Sequence, residues 1–356
     1  MRQLSHNFIL ALALLFAACT APASPTPIPS STATLPPPAT VTNTFVAAHT
    51  PSGPDLPAGT PLPDDSPTPR PTVTVPPTAT PVPKARRVVV VSFDGLRPDA
   101  ILNTPMQNLM ALMDRGAFSL QAQTTYPSAT LPSHASMLTG LCPAGHGVDW
   151  NDYIPQKGYA QATDLFDLAH AAGLQTVMYV GKQKLRQITE PESTDVYRFI
   201  ADRDLVIVEQ LLADFPQDFG LLFVHFPTAD WMGHRYGWLS PQQFSVLEQG
   251  DEALGMLLAH LDALGLREET LVIVTADHGG HGVLHGSRLP EDMTIPWVAA
   301  GPGVKQGGLM APVYTMDTAA TAAWALDLPL PPEWDGVPVM EAFGQPPIER
   351  PAEVCP

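Results

Sequence analysis

The sequence predicts an α/β domain built on a mainly parallel central sheet with helices on both faces. Two patterns carry that prediction. From Arg86 onward, short apolar runs alternate with longer segments of helical period, the order expected of strands joined by crossover helices. Several of those runs, "RRVVVVSFD" first, are apolar without alternation, as strands covered on both faces are.

The elements follow in order. "RRVVVVSFD" opens the sheet. Thr104 and Pro105, then "MQNLMALMDRG", give a capped helix closed by Gly116. "FSLQAQT" is a strand. Thr130 stands where an N-cap would, with Pro132 in the first turn and a small, apolar run to Gly140. "TDLFDLAHAAG" is a helix from a Thr163 cap to Gly173, and the strand "LQTVMYV" follows. "DRDLVIVEQLLADF" reads as helix and "FGLLFVHF" as strand. Ser240 and Pro241 open the longest helix, which runs to Leu264 and stops at Gly265. "ETLVIVTAD" and "MTIPWVAAG" are strands, and Asp317 caps a last helix, "TAATAAWAL". There is no internal repeat and no insertion long enough for a second domain.

The 356 residues divide unevenly. Residues 1–19 read as a secretory signal: a basic start, an apolar run from Phe8 to Ala18 too short to span a bilayer, and "FAAC" ending at Cys19. That ending resembles a bacterial lipobox, which would make Cys19 a lipid-carrying anchor outside the cytoplasm, at the cell surface or in the periplasm. Ordinary cleavage near Ala21 or Ala23, releasing a soluble protein, is the alternative. Residues 20–85 hold nearly half of the 41 prolines, with Thr, Ser and Ala between them. Such a segment buries no core and reads as a disordered, semi-extended linker or stalk. Residues 86–348 form the domain and 349–356 a tail.

The formal charge of −17 argues against binding nucleic-acid polymers. It suits a small anionic substrate only if something locally positive, such as a metal, sits in the site. Nothing in the sequence implies a protein partner. Of the three cysteines, Cys142 and Cys355 remain once Cys19 is set aside. In an oxidising compartment they can pair, although nothing in the sequence places them within bridging distance.

In parallel sheets the site lies beyond the carboxyl ends of the strands. Strand "VVVVSF" ends in Asp94. Strand "LLFVHF" is followed by "PTADWMGH", with Asp230 and His234. Strand "LVIVTA" ends in Asp277 and His278, with His281 and His285 following. An Asp after a strand is ordinarily a turn residue, and a lone His is ordinarily structural. Convergence from three strands changes that balance. The oxygen and nitrogen donors suit zinc, with manganese or iron as alternatives. With Thr130 added, the set is too large for one ion and right for two, which at ~3.5–4 Å clamp a phosphoryl transfer. They would also activate Thr130, a poor nucleophile alone.

These residues resemble the alkaline phosphatase superfamily, and within it the type I phosphodiesterase/nucleotide pyrophosphatase branch. The resemblance runs from Arg86 to Leu328 through "VVVVSFDGLRPD", "YPSATLPSHASMLTGLCPAGHGV", "DWMGH" and "TADHGGHGVLHG". It implies an alkaline phosphatase-like fold and two divalent ions, zinc first. Asp94, Thr130, Asp277 and His278 would hold one, and Asp230, His234 and His285 the other. His285 is preferred to His281 because His285–Gly286 stands before "MTIPWVAAGPG". Thr130 would be the nucleophile, forming a phospho-threonine, and Asn151 would donate to a phosphate oxygen; a turn Asn is the plainer reading. The implied activity is hydrolysis of phosphodiester or pyrophosphate bonds in small substrates.

Some residues depart from the family pattern or have plainer readings. Leu131 stands where nucleotide-cleaving members carry an aromatic. The sulfatase pattern after the nucleophile is missing from "TLPSH". Tyr126, Tyr153 and Trp231 read as packing, Arg97 as a surface or helix-start ion pair, and His134 and His146 as structural. A phosphomonoesterase, a phosphonate hydrolase, and a binding protein that has lost catalysis remain the alternatives.

Overall fold

The computed structural model describes residues 84–351 together with Val354 and Cys355. The expected signal segment, Cys19 and the Pro/Thr-rich segment up to residue 83 lie outside the described residues. Among the described residues, no helix is long and apolar enough to cross a membrane.

Eight strands form one sheet: β1 (Arg87–Phe93), β2 (Ala117–Gln123), β3 (Gln175–Val180), β4 (Val196–Phe199), β5 (Phe219–Phe226), β6 (Thr270–Thr275), β7 (Thr294–Ala300) and β8 (Gly307–Gly308). Their order is β4-β3-β5-β1-β6-β7-β2-β8. All neighbours are parallel except β7, which runs against both β6 and β2. The uninterrupted apolar runs fall where the sheet is covered on both sides. Every residue of β5 and β6 is buried, as is β1 beyond Arg87. Each fully buried Val, Leu or Phe there contributes ~1.5–3 kcal/mol. The helices Gln107–Arg115, Asp204–Ala213, Thr228–Tyr236 and Pro241–Ala263 pack together as one layer, and Thr130–Thr139, Leu165–Ala171 and Asp317–Ala325 as the other. Register sets the site. Phe93 lies opposite Phe226 and Ser92 opposite Thr275, so three parallel strands end level.

Four expected caps are placed differently. Helix Gln107–Arg115 starts behind Met106, which makes no side-chain bond, and the Thr104 hydroxyl, two residues further back, caps nothing. Thr130 is the first helical residue, and Ala129 precedes it as a cap with no side-chain bond. Helix Leu165–Ala171 is capped by Asp164 rather than Thr163: Asp164 accepts from the Asp167 amide, and Asp167 accepts back. That reciprocal pair satisfies two orphan donors, where Thr163 would satisfy one. Asp317 opens the last helix from inside, behind Met316. "PTADWMGH", to which the sequence pattern assigns no element, opens the helix Thr228–Tyr236. Ser240 does cap the longest helix, accepting from the Gln243 amide at 3.2 Å.

Arg350 and Cys355, beyond residue 348, are held to the domain. Arg350 makes two 2.9 Å bonds to Asp317, and Cys355 forms a disulfide with Cys142, with their Cα atoms 5.6 Å apart.

Candidate metal centre and nucleophile

Five segments meet beyond the carboxyl ends of β1, β5 and β6. Asp94 follows β1 directly, and Asp277 and His278 follow β6. The helix Thr228–Tyr236 begins just after β5 and carries Asp230 and His234, one turn apart on one face. Thr130 opens its own helix, and His285 comes from the loop between β6 and β7. Asp94, Thr130, Asp230, Asp277 and His278 are all buried.

The atoms that face one another are left without partners. Asp94 Oδ1, Asp230 Oδ1, Asp277 Oδ2 and His278 Nε2 are buried and make no hydrogen bond. His278 Nε2 lies 3.4 Å from Asp94 Oδ1 and 3.3 Å from Asp277 Oδ2. Asp230 Oδ1 lies 3.3 Å from His234 Nε2 and 3.6 Å from His285 Nε2. Asp230, His234 and His285 thus form one group with ion-holding spacing, and Asp94, Asp230 and His278 a second. Buried polar atoms are rarely orphaned in folded proteins, so convergence of four fits a divalent cation.

The imidazoles are set for the same task. His278, His285 and His234 each donate from Nδ1 to a backbone carbonyl, of Gly279 (2.7 Å), Ser128 (2.8 Å) and Val283 (2.9 Å). A carbonyl only accepts, so the proton sits on Nδ1 and a neutral ring offers its bare Nε2 lone pair. His281 is engaged elsewhere: its Nδ1 lies 2.7 Å from Asp292 Oδ1, and it belongs to neither group. Behind the carboxylates stand two more histidines. His225 accepts the Gly181 amide at Nδ1 and donates from Nε2 to Asp94 Oδ2 at 2.9 Å. His134 donates to the Thr130 carbonyl and meets Ser92 Oγ, both at 2.8 Å. His146 binds Ser136 and Val148 within the fold.

Sequence reasoning missed Lys182. Its ammonium lies 2.6 Å from both Asp94 Oδ2 and Asp230 Oδ2, and donates to Thr130 Oγ at 3.2 Å. The signal was available: Lys182 stands two residues past the end of β3, the same kind of position that yielded the acids. Lys184 donates to the carbonyl and Oδ1 of Asn151, and the Leu131 amide also donates to that Oδ1 at 2.8 Å. Two donors on Oδ1 fix the Asn151 amide, turning its NH2 end away from them. Arg97 pairs with Asp99 and the Gly280 carbonyl, as an ion pair at a helix start. Tyr126 and Tyr153 are exposed rather than packed.

Trp238 joins three of the segments. Its indole donates to the Gly95 carbonyl at 2.8 Å, and a Cβ on Gly233 or Gly280 would fall 2.8 or 2.2 Å from its ring. Gly233 of "DWMGH" and Gly280 of "DHGGHG" are therefore close-approach positions beside the candidate ligands.

Electrostatics divide the carboxylates. Burial opposes ionisation of Asp94, but Lys182 and His225 outweigh it and hold the carboxyl well below its ordinary range. Asp230 is raised by burial and by Asp94, yet Lys182 and His234 bring it to about 2. Burial and repulsion from Asp94 push Asp277 well above its ordinary value. Burial lowers His285 to about 4 and lowers His278 as well, favouring the neutral rings that ligation needs. Lys182 is raised, because Asp94 and Asp230 together overcome its burial.

Known proteins resemble this chain to different depths. Human (Homo sapiens) ectonucleotide pyrophosphatase/phosphodiesterase family member 5 is 28% identical over 215 residues, covering 54% of this chain and 45% of that protein. Human bis(5'-adenosyl)-triphosphatase ENPP4 is 27% identical over 215 residues, covering 54% of this chain and 47% of that one. The chain spans about half the length of these curated relatives. Murine ENPP5 superposes with a TM-score of 0.60 at 18% identity, over 69% of this chain and 96% of the other. The phosphonate monoester hydrolase of Silicibacter pomeroyi gives 0.59 at 16%, over 74% and 78%. The alkaline phosphatase PafA gives 0.63 at 13%, over 74% and 100%. These three share the fold, an alkaline phosphatase-like α/β sheet. A family model described as type I phosphodiesterase/nucleotide pyrophosphatase matches residues 88–294. That stretch is more than half of the chain and contains every residue from Asp94 to His285, and the chain belongs to this family.

Proposed function

We propose that residues 86–348 form a metal-dependent hydrolase of phosphodiester or pyrophosphate bonds in small substrates, with Thr130 as nucleophile. The observation that carries this reading is a set of four buried, unpartnered ligand atoms, on carboxylates of which two, Asp94 and Asp230, share the Lys182 ammonium with the Thr130 hydroxyl. Family membership and the names of the curated relatives support the substrate class. Asp94, Thr130, Asp277 and His278 would hold one divalent ion, and Asp230, His234 and His285 the other, with zinc best suited to the donors. When bound, the ions would supply positive charge against the phosphoryl oxygens and lower the pKa of a hydroxyl beside them.

The chain's own residues do the rest. Thr130 sits at a helix N-terminus, where free amides and the dipole favour an anion. Its proton is lost to bulk water, and its oxygen attacks phosphorus in line with the leaving group. The Oγ–P bond forms as the bond to the leaving oxygen breaks, and that oxygen takes the electron pair. Asn151, with Oδ1 pinned, turns its NH2 toward the equatorial oxygens. Water then attacks phosphorus, and Thr130 Oγ departs with the pair and takes a proton from that water.

The remaining assignments belong to the same proposal: export by residues 1–19, lipid anchoring through Cys19 outside the cytoplasm, and a stalk over 20–85. A phosphomonoester or phosphonate substrate is the second reading, favoured by the added positive charge of Lys182 and Lys184. Assays of the zinc-loaded protein on bis-p-nitrophenyl phosphate and p-nitrophenyl phosphate decide between them. The first reading expects diester turnover to dominate and Thr130→Ala to lose roughly 10⁴-fold or more in kcat. Dominant monoester turnover would establish the second, and full turnover by Thr130→Ala would overturn both.

A further inference from the structure

We infer that Lys182 is a catalytic residue whose ammonium serves as a fixed third cation, bonded to the attacking oxygen of Thr130 and then to the transferring phosphoryl group. The inference rests on the nucleophile reading above. An ammonium has three donors, and here three oxygens receive them: Asp94 Oδ2, Asp230 Oδ2 and Thr130 Oγ. The two carboxylates divide their oxygens. Each gives Oδ2 to Lys182 and leaves Oδ1 buried and unpartnered toward the histidines. Lys182 and the expected ions therefore use different oxygens of the same carboxylates, and the ammonium sets how both carboxylates are turned.

Placement is firm. Lys182 follows Gly181, where a Cβ would fall 2.2 Å from the Pro227 ring, so the exit of β3 lies close against the exit of β5. The Gly181 amide is held by His225, which also binds Asp94. The side chain is mostly buried, and a buried donor aimed at developing charge acts without reorganising. No proton transfer by Lys182 is needed. It keeps its three protons while the Oγ–P bond forms, the leaving oxygen takes the bonding pair, and the Thr130 proton has gone to bulk water. As Oγ loses charge to phosphorus, the same donor faces a non-bridging oxygen.

The test compares the full-length zinc-loaded protein with Lys182→Met, Lys182→Arg and Thr130→Ala. Zinc per chain, kcat and KM on bis-p-nitrophenyl phosphate, and the Kd for inorganic phosphate are measured on each. Lys182→Met is expected to keep its zinc, lose about 10²–10³-fold in kcat, the usual loss for one such donor, and bind phosphate at least about tenfold more weakly. Lys182→Arg recovers part of both. Wild-type kcat and phosphate affinity in Lys182→Met would overturn the assignment, as would a loss of activity that tracks a loss of zinc. Undiminished turnover by Thr130→Ala would instead break the nucleophile reading. If the wild type cleaves no ester, the phosphate arm still decides, and equal affinities would sink the role of Lys182.

Discussion

Asp317 and Asp230 are both buried carboxylates in the first turn of a helix, yet their surroundings treat them in opposite ways. Asp317 Oδ1 accepts from the Val337 amide and Arg350, and Oδ2 from the Tyr314 amide and Arg350, all within 3.0 Å. Asp251 is similarly enclosed by Asn108 and the Leu109 amide. Asp230 gives one oxygen to Lys182 and leaves the other with nothing. A buried acceptor without a partner is costly, and the fold supplies partners freely where an aspartate only holds segments together. What separates a ligand carboxylate from a structural one is therefore the unpaired oxygen, more than burial or charge.

The widest separation comes from breaking each site. Asp317→Ala removes one partner of a buried ion pair and should cost about 3–5 kcal/mol, read as a shift in urea unfolding, with zinc content unchanged. Asp230→Asn should do the reverse. Lys182 keeps Asp94 as a partner, so stability in chelator falls by only about 2 kcal/mol, the worth of the charge whose pKa the fold lowers to about 2, while one zinc is lost.

A fourth buried acid, Asp204, sharpens the contrast through pH. Its Oδ1 accepts from the amide and hydroxyl of Thr228, and burial raises its pKa to about 7 from an ordinary 3.8. The folded state thus holds a proton that the unfolded state releases. This contribution to stability is complete below about pH 4 and fades as pH rises through about 7. Asp204→Asn should flatten the stability profile over that window in chelator; an unchanged slope would show that Asp204 is ionised in the fold. The smallest effect separates two histidines. His285→Ala should lose a zinc, whereas His281→Ala keeps both and costs about 1 kcal/mol for its bond to Asp292. The opposite pattern in metal content would move the ligand to His281.

Much of this was legible beforehand. β1, β5 and β6 show as unbroken apolar runs because both their faces are covered, and the acids follow at once because the strand ends are the site. The helix Thr228–Tyr236 carries no clear helical pattern, in part because Gly233, a poor helix former, is required where the Trp238 ring packs against it. The Thr163 cap was misplaced because Asp164 beside it has the same capping chemistry, whereas the helices near Thr104, Thr130 and Asp317 start behind Met106, Ala129 and Met316, residues with no capping side chain, so that only backbone geometry fixes those boundaries. The Cys142–Cys355 pair is 213 residues apart, a closeness that only the assembled sheet creates. Lys182 escaped because a lysine carries no motif; its role comes from which carboxylates the fold sets around it.

The most direct measurement is mass spectrometry of the protein quenched in acid during turnover of bis-p-nitrophenyl phosphate, followed by mapping of any adduct. The account predicts a phosphoryl adduct on the peptide containing Thr130, absent from Thr130→Ala. Turnover that leaves no adduct at any quench time, or places one on another residue, would contradict it.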